Sequence, residues 1–166
     1  MQDIIDIPQE PSLPDDKYLQ AYFGRQSGYY IEKFEAYTSG DKFSFNIAPF
    51  FIGFFWFFYR KLWLEGILII LFILVSGMIE GVIYDLFAVS EDTQTMIFYV
   101  SSFAFGVLWG FVGNYLYIRK ADKNIKNVLM ATDDEEERMY LLTKKGGVSL
   151  VPFIILLLLI IVFLLI

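Results

Sequence analysis

Glu80 stands well inside an apolar block that runs from Leu62 to Tyr84, and it is the one acidic residue of the chain so placed. Keeping a carboxylate charged in such surroundings is costly, which makes proton or ion handling its chemical reading. A plainer reading has the side chain reach water beside Asp85 at the end of the block. A second constellation is Ser102, Gly106, Gly110 and Asn114, spaced by four and therefore on one helix face, with Gly77 and Gly81 repeating the spacing in the preceding block. Small residues let helix backbones approach closely in lipid, where no hydrophobic force drives helices together. Such faces either pack the two blocks on one another as a hairpin or meet a second copy or another protein. The third group is basic. Arg119, Lys120, Lys123 and Lys126 suit anionic lipid headgroups, at about 1 kcal/mol per charge near a membrane surface, or simply record which side of a membrane they occupy.

What is missing narrows the chemistry further. The 166 residues include no cysteine and no histidine, which removes thiolate nucleophiles, disulfides, thiolate or imidazole metal ligands and the commonest general base. No G-x-S-x-G, phosphate loop or carboxylate cluster with metal spacing is present. No catalytic residue, metal or cofactor is therefore expected, and the chain is read as something other than an enzyme. The net charge of -6 disfavours a nucleic-acid partner, although it averages over an acidic tail, an acidic turn and locally basic flanks.

The elements that position these residues follow from hydropathy. At 57% hydrophobic and 19% aromatic, the composition exceeds that of a water-soluble domain, and the apolar residues come in long blocks. Residues 1–16 carry three prolines and a run of acids without an apolar period, and read as a disordered tail with no signal peptide. Residues 17–44 form aromatic amphipathic helices: Tyr18, Leu19, Tyr22 and Phe23 recur at helical spacing, then Tyr30, Ile31 and Phe34. Ser27 is placed to cap the second helix and Gly40 to close it. The aromatic stripe either packs on the membrane portion or offers a binding surface.

Residues 45–61 hold FNIAPFFIGFFWFF, apolar on every face but shorter than the roughly 20 residues a spanning helix needs. This run is predicted to be one re-entrant or interfacial helix, with Asn46 as cap and Pro49 in the first turn. Residues 62–118 supply two crossings, Leu62–Tyr84 and Met96–Ile118, joined by a short acidic turn. Residues 119–147 continue the second helix into a basic amphipathic stretch, then a short helix for which Thr132 and Glu135 have capping-box spacing. Residues 148–166 supply a third crossing.

Orientation follows from the basic residues, since loops rich in Lys and Arg stay in the cytoplasm. The turn over 86–95 has none of the 13, and three crossings place all of them on one side. The expected fold is thus an all-α membrane protein: three transmembrane helices, a short re-entrant or interfacial helix and amphipathic cytoplasmic helices. The amino terminus lies inside and the carboxy terminus outside.

YYIEKFEAY, FNIAPFFIGFFWFFYRKLWLEG and GNYLYIRKADKNI together resemble the bacterial membrane-protein family known as domain of unknown function (DUF) 2628. Tyr29, Tyr30, Phe34, Phe45, Asn46, Pro49, Phe50, Phe51, the Trp56–Lys61 run, Gly66, Gly113, Asn114 and Tyr117 carry the resemblance, which extends from about Tyr22 to Gly147. It implies a small multi-spanning bacterial protein whose activity is not established, and it brings no catalytic residues. Within the Trp56–Lys61 run, Trp56 and Tyr59 are expected to anchor the short helix at headgroup level, while Arg60 and Lys61 pair with lipid phosphates. The expected role is an interaction protein or accessory subunit, with membrane lipids and another membrane protein or a second copy as partners. The alternative is a small oligomeric transporter, channel or lipid-handling protein working near Glu80 and Asn114.

Overall fold

Residues 13–165 are described by a computed structural model, and every regular element among them is a helix. The tail expected over 1–16 lies outside the described residues as far as Ser12. Helix α1 (Asp16–Phe23) begins at once thereafter, capped by the Asp15 carboxylate, which accepts from the Lys17 amide at 3.2 Å. Gly24, at φ 63°, ends it, and one 3-10 turn leads into α2 (Ser27–Thr38). Ser27 is the first residue of α2 and not its cap; that position falls to Gln26, which makes no side-chain bond.

The aromatic stripe of these two helices is core. Tyr18, Leu19, Tyr22 and Phe23 of α1 and Tyr30 and Phe34 of α2 are buried against the far end of α6 (Glu91–Ala131). At 41 residues α6 is about 60 Å long, far beyond what a bilayer requires, so its last turns project past any span. There Ala121, Ile125 and Val128 repeat at helical spacing and are buried. Helix α7 (Glu135–Lys145) closes this cap with Leu142. Its N-cap is Asp134, whose carboxylate accepts from the Glu137 amide at 2.8 Å; Thr132, expected in that role, lies before it and holds the Glu137 side chain instead. After α7 the chain presses on α1: the Gly147 amide donates to the Tyr22 carbonyl at 2.7 Å, and a Cβ on Gly146 would collide with that same carbonyl.

The phenylalanine-rich run is two helices, α3 (Ile47–Ile52) and α4 (Phe54–Tyr59), where one was expected. Asn46 caps α3 through the Ala48 amide at 2.9 Å, and Pro49 sits in its first turn, both as expected. The break is Gly53, at φ 59° and ψ -137°, a conformation closed to side-chain-bearing residues. It lets α3 lie along α6 while α4 turns toward α5 (Trp63–Phe87) and α8 (Val151–Leu165).

Two helices are long and apolar enough to cross a membrane, α5 with a mean hydropathy of 2.6 and α6 with 1.7 over their best windows. α8 is strongly apolar but has 15 residues. Only 11% of the α5 window is buried within the chain, whereas the core helix of a soluble protein is mostly enclosed. The apolar surface of α5 therefore faces outward almost all round.

Candidate functional site

Where α2, α3 and α6 meet, a buried polar network replaces apolar packing. Asn46 donates from Nδ2 to Asn114 Oδ1 at 2.8 Å, and Asn114 Nδ2 donates in turn to the Tyr29 hydroxyl at 2.8 Å and to Ser44 Oγ at 2.9 Å. The Asn46 backbone amide reaches the Gly110 carbonyl at 2.8 Å. That approach requires a helix surface without side chains, and Gly106, Gly110 and Gly113 provide it. A Cβ on Gly113 would stand 2.7 Å from Pro49 Cγ, and one on Gly106 would stand 3.1 Å from the Phe50 carbonyl oxygen.

The small-residue stripe of α6 thus receives α3, which corrects the expectation that it packs on the preceding crossing. Ser102, one turn further along, borders an apolar cleft of about 570 Å³ with Phe50 and Ile73. A Cβ on Gly77 or Gly81 would meet nothing within 4 Å. α5 and α6 touch through larger groups instead. Phe72 packs edge-on against Phe105 and Trp109, with centroids 5.3 and 5.8 Å away, and the Glu80 carboxylate accepts from Ser101 Oγ at 2.9 Å and, weakly, from the Tyr84 hydroxyl at 3.5 Å. Glu80 is half-buried at the margin of a polar recess shared with Gln94 and Tyr99.

Immediately after α4 the chain places a cation inside the protein. Arg60 is 3% exposed, and its guanidinium carbon lies 4.5 Å from the centroid of the Tyr30 ring, 5.1 Å from Tyr117 and 5.4 Å from Tyr59. It donates from Nη2 to Gln26 Oε1, while its Nε and the nearby Tyr117 hydroxyl have no hydrogen-bond partner among the described residues. Among the described residues no carboxylate pairs with it. Burial pushes the Tyr30 phenol up from its ordinary value, against the pull of the guanidinium beside it, so Tyr30 is a neutral wall and supplies no counter-charge. Trp56 is likewise enclosed, at 2% exposure. Trp56 and Arg60, expected as open membrane anchors, are instead enclosed within the chain, because the aromatic cap closes over both.

Lys61 is also turned inward. The bonds from the Leu62 amide to the Phe57 carbonyl and from the Lys61 amide to Phe58 close α4 in a Schellman turn. Lys61 holds the left-handed position at φ 59° that glycine normally takes, at a cost of about 1–2 kcal/mol. Its ammonium offsets that cost by capping α7, donating to the carbonyls of Lys144, at 3.0 Å, and Gly146. Burial holds this ammonium below the usual lysine range. Lys120 caps the same turn through the Lys61 carbonyl, while Arg119, Lys123 and Lys126 are exposed, Lys126 pairing with Asp122 at 2.9 Å. Tyr59 is half-buried and stacks edge-on against Phe153 of α8.

A family model described as "Protein of unknown function (DUF2628)" matches residues 9–123. The chain belongs to this family. The DUF2628 match starts earlier than the resemblance drawn from Tyr22 onward and ends before the last turns of α6, so α7 and α8 lie beyond it. It takes in the Asn46–Asn114 network and the whole Arg60 corner. No curated protein and no solved structure matches the chain. What the sequence concealed in this DUF2628 member is direction: Arg60 and Lys61 follow an aromatic run just as membrane-flanking residues do, and only Tyr30 and Tyr117, remote in the chain, turn Arg60 into an interior group.

Proposed function

We propose that the protein is an interaction protein or accessory subunit of a larger complex in the bacterial inner membrane. The observation that carries this reading is the contrast between its two parts. The cap of α1, α2, α7 and the end of α6 buries its own aromatic stripe, while α5 leaves nearly all of its apolar surface, including Gly77 and Gly81, without a neighbour from this chain. An outward apolar helix with an open small-residue face suits lipid and a second membrane helix. In this reading α5 and α6 cross the membrane, α8 makes a third crossing, and the cap, with all the basic residues, sits in the cytoplasm. The carboxy terminus then lies outside, and the role is binding rather than catalysis.

A second reading, a small oligomeric transporter or lipid-handling protein, draws on the hydrogen-bonded Glu80 inside the apolar region. Affinity purification of tagged protein in mild detergent, followed by mass spectrometry of bound proteins and lipids, separates the two. A stoichiometric second protein is the expected result. A homo-oligomer carrying lipid alone would overturn the accessory-subunit reading in favour of transport, with Glu80→Gln as the next variant.

A further inference from the structure

We infer that the cleft beside Arg60 binds the phosphate of an anionic membrane lipid, with the acyl chain along its apolar wall. The cleft has a volume of about 850 Å³, within the range of small-molecule sites. Among the described residues Arg25 and Arg60 are its charged lining residues and no acidic residue lines it, although the chain as a whole is acidic. Arg60 is the decisive group. An enclosed guanidinium without a carboxylate is unfavourable unless hydrogen bonds and charge compensate it. Tyrosine faces and one amide oxygen compensate it in part, and Nε keeps an unused proton. A phosphate oxygen is the acceptor that a planar guanidinium fork fits best.

The opposite wall identifies the rest of the ligand. Ile47, Ile52 and Phe153 line the cleft and are themselves well exposed, Ile47 at 65%, so the site is open on an apolar side. A free phosphate has no use for such a wall; an acyl chain does. The location agrees, since Arg60 lies between the polar cap and the first residue of α5, where headgroups sit when α5 spans a bilayer. The site rests on the proposed reading that α5 spans a bilayer and needs no protein partner.

The test is native mass spectrometry of the full chain, delipidated in neutral detergent and titrated separately with phosphatidylglycerol, phosphatidylcholine, glycerol 3-phosphate and inorganic phosphate. One phosphatidylglycerol should bind in preference to the other three. Arg60→Met should weaken it about tenfold, the size expected for losing charged hydrogen bonds. Because Arg60 also contributes to packing, Arg25→Gln at the exposed rim is the second variant, and should weaken binding with no change in thermal midpoint. Arg119→Gln with Lys123→Gln, exposed on α6 and outside the cleft, should leave it unchanged. Undiminished, wild-type binding by the Arg25 and Arg60 variants, or loss in the Arg119 and Lys123 control, would overturn the site. Inorganic phosphate binding as tightly as the lipid would overturn its assignment to an amphiphile.

Discussion

Gly113→Leu is expected to detach α3 from α6 and to lower the stability of the purified protein by about 3 kcal/mol, the upper end of the cost of overpacking a well-filled core. The Cβ alone would stand 2.7 Å from Pro49 Cγ and 3.3 Å from Trp56 Cζ3, both on buried residues held by neighbours. Gly77→Leu is the matched comparison. It introduces the same side chain at a position where a Cβ meets nothing within 4 Å, so the isolated protein should melt almost unchanged. Thermal unfolding of both variants in one detergent decides the matter. Equal losses would mean that the two small-residue faces pack on one another within the chain, contrary to the geometry described.

The second large effect is expected from Asn114→Leu. Removing this amide strands the buried Asn46 Nδ2 and takes a partner from the more open Tyr29 hydroxyl and Ser44 Oγ. A buried polar group without a partner costs about 1–3 kcal/mol, so a loss of about 3 kcal/mol is the working expectation, with lowered expression. Asn46→Leu combined with Asn114→Leu should recover part of the loss, because the stranded Asn46 amide is gone. Recovery stays incomplete, since Asn46 also caps α3, a role worth about 1 kcal/mol. A double-mutant cycle measures the coupling directly. Strict additivity would mean that the Asn46–Asn114 bond contributes nothing.

Local signals in the sequence read through well. The long apolar blocks of α5 and α6, the Asn46 cap, Pro49 in the first turn of α3 and the glycines around α1 and α2 all act through residues close in the chain. The failures share a different cause. The run from Phe45 to Phe58 is apolar on every face, so no period marks the break, and Gly53 in its middle was the only clue. Asp134 takes the cap in place of Thr132, both residues being capping types two positions apart. Gly113 lies outside the four-residue spacing of Ser102, Gly106, Gly110 and Asn114, yet a helix accepting another helix uses positions three apart as readily as four. Arg60 is the clearest case: its neighbours in sequence describe a membrane flank, and its neighbours in space are tyrosines from α2 and α6.

In the proposed reading α5 and α6 cross a membrane as a hairpin, with the cap and the Arg60 cleft on one side and the Ala88–Ser90 turn on the other. Because the chain has no cysteine, single-cysteine variants report on one site each. Ser90→Cys lies in the turn and Ser39→Cys at the end of α2, both at exposed residues. With a membrane-impermeant maleimide on sealed spheroplasts, Ser90→Cys should be labelled and Ser39→Cys should react only after permeabilisation. Labelling of both sites in sealed spheroplasts, or of neither, would contradict the hairpin.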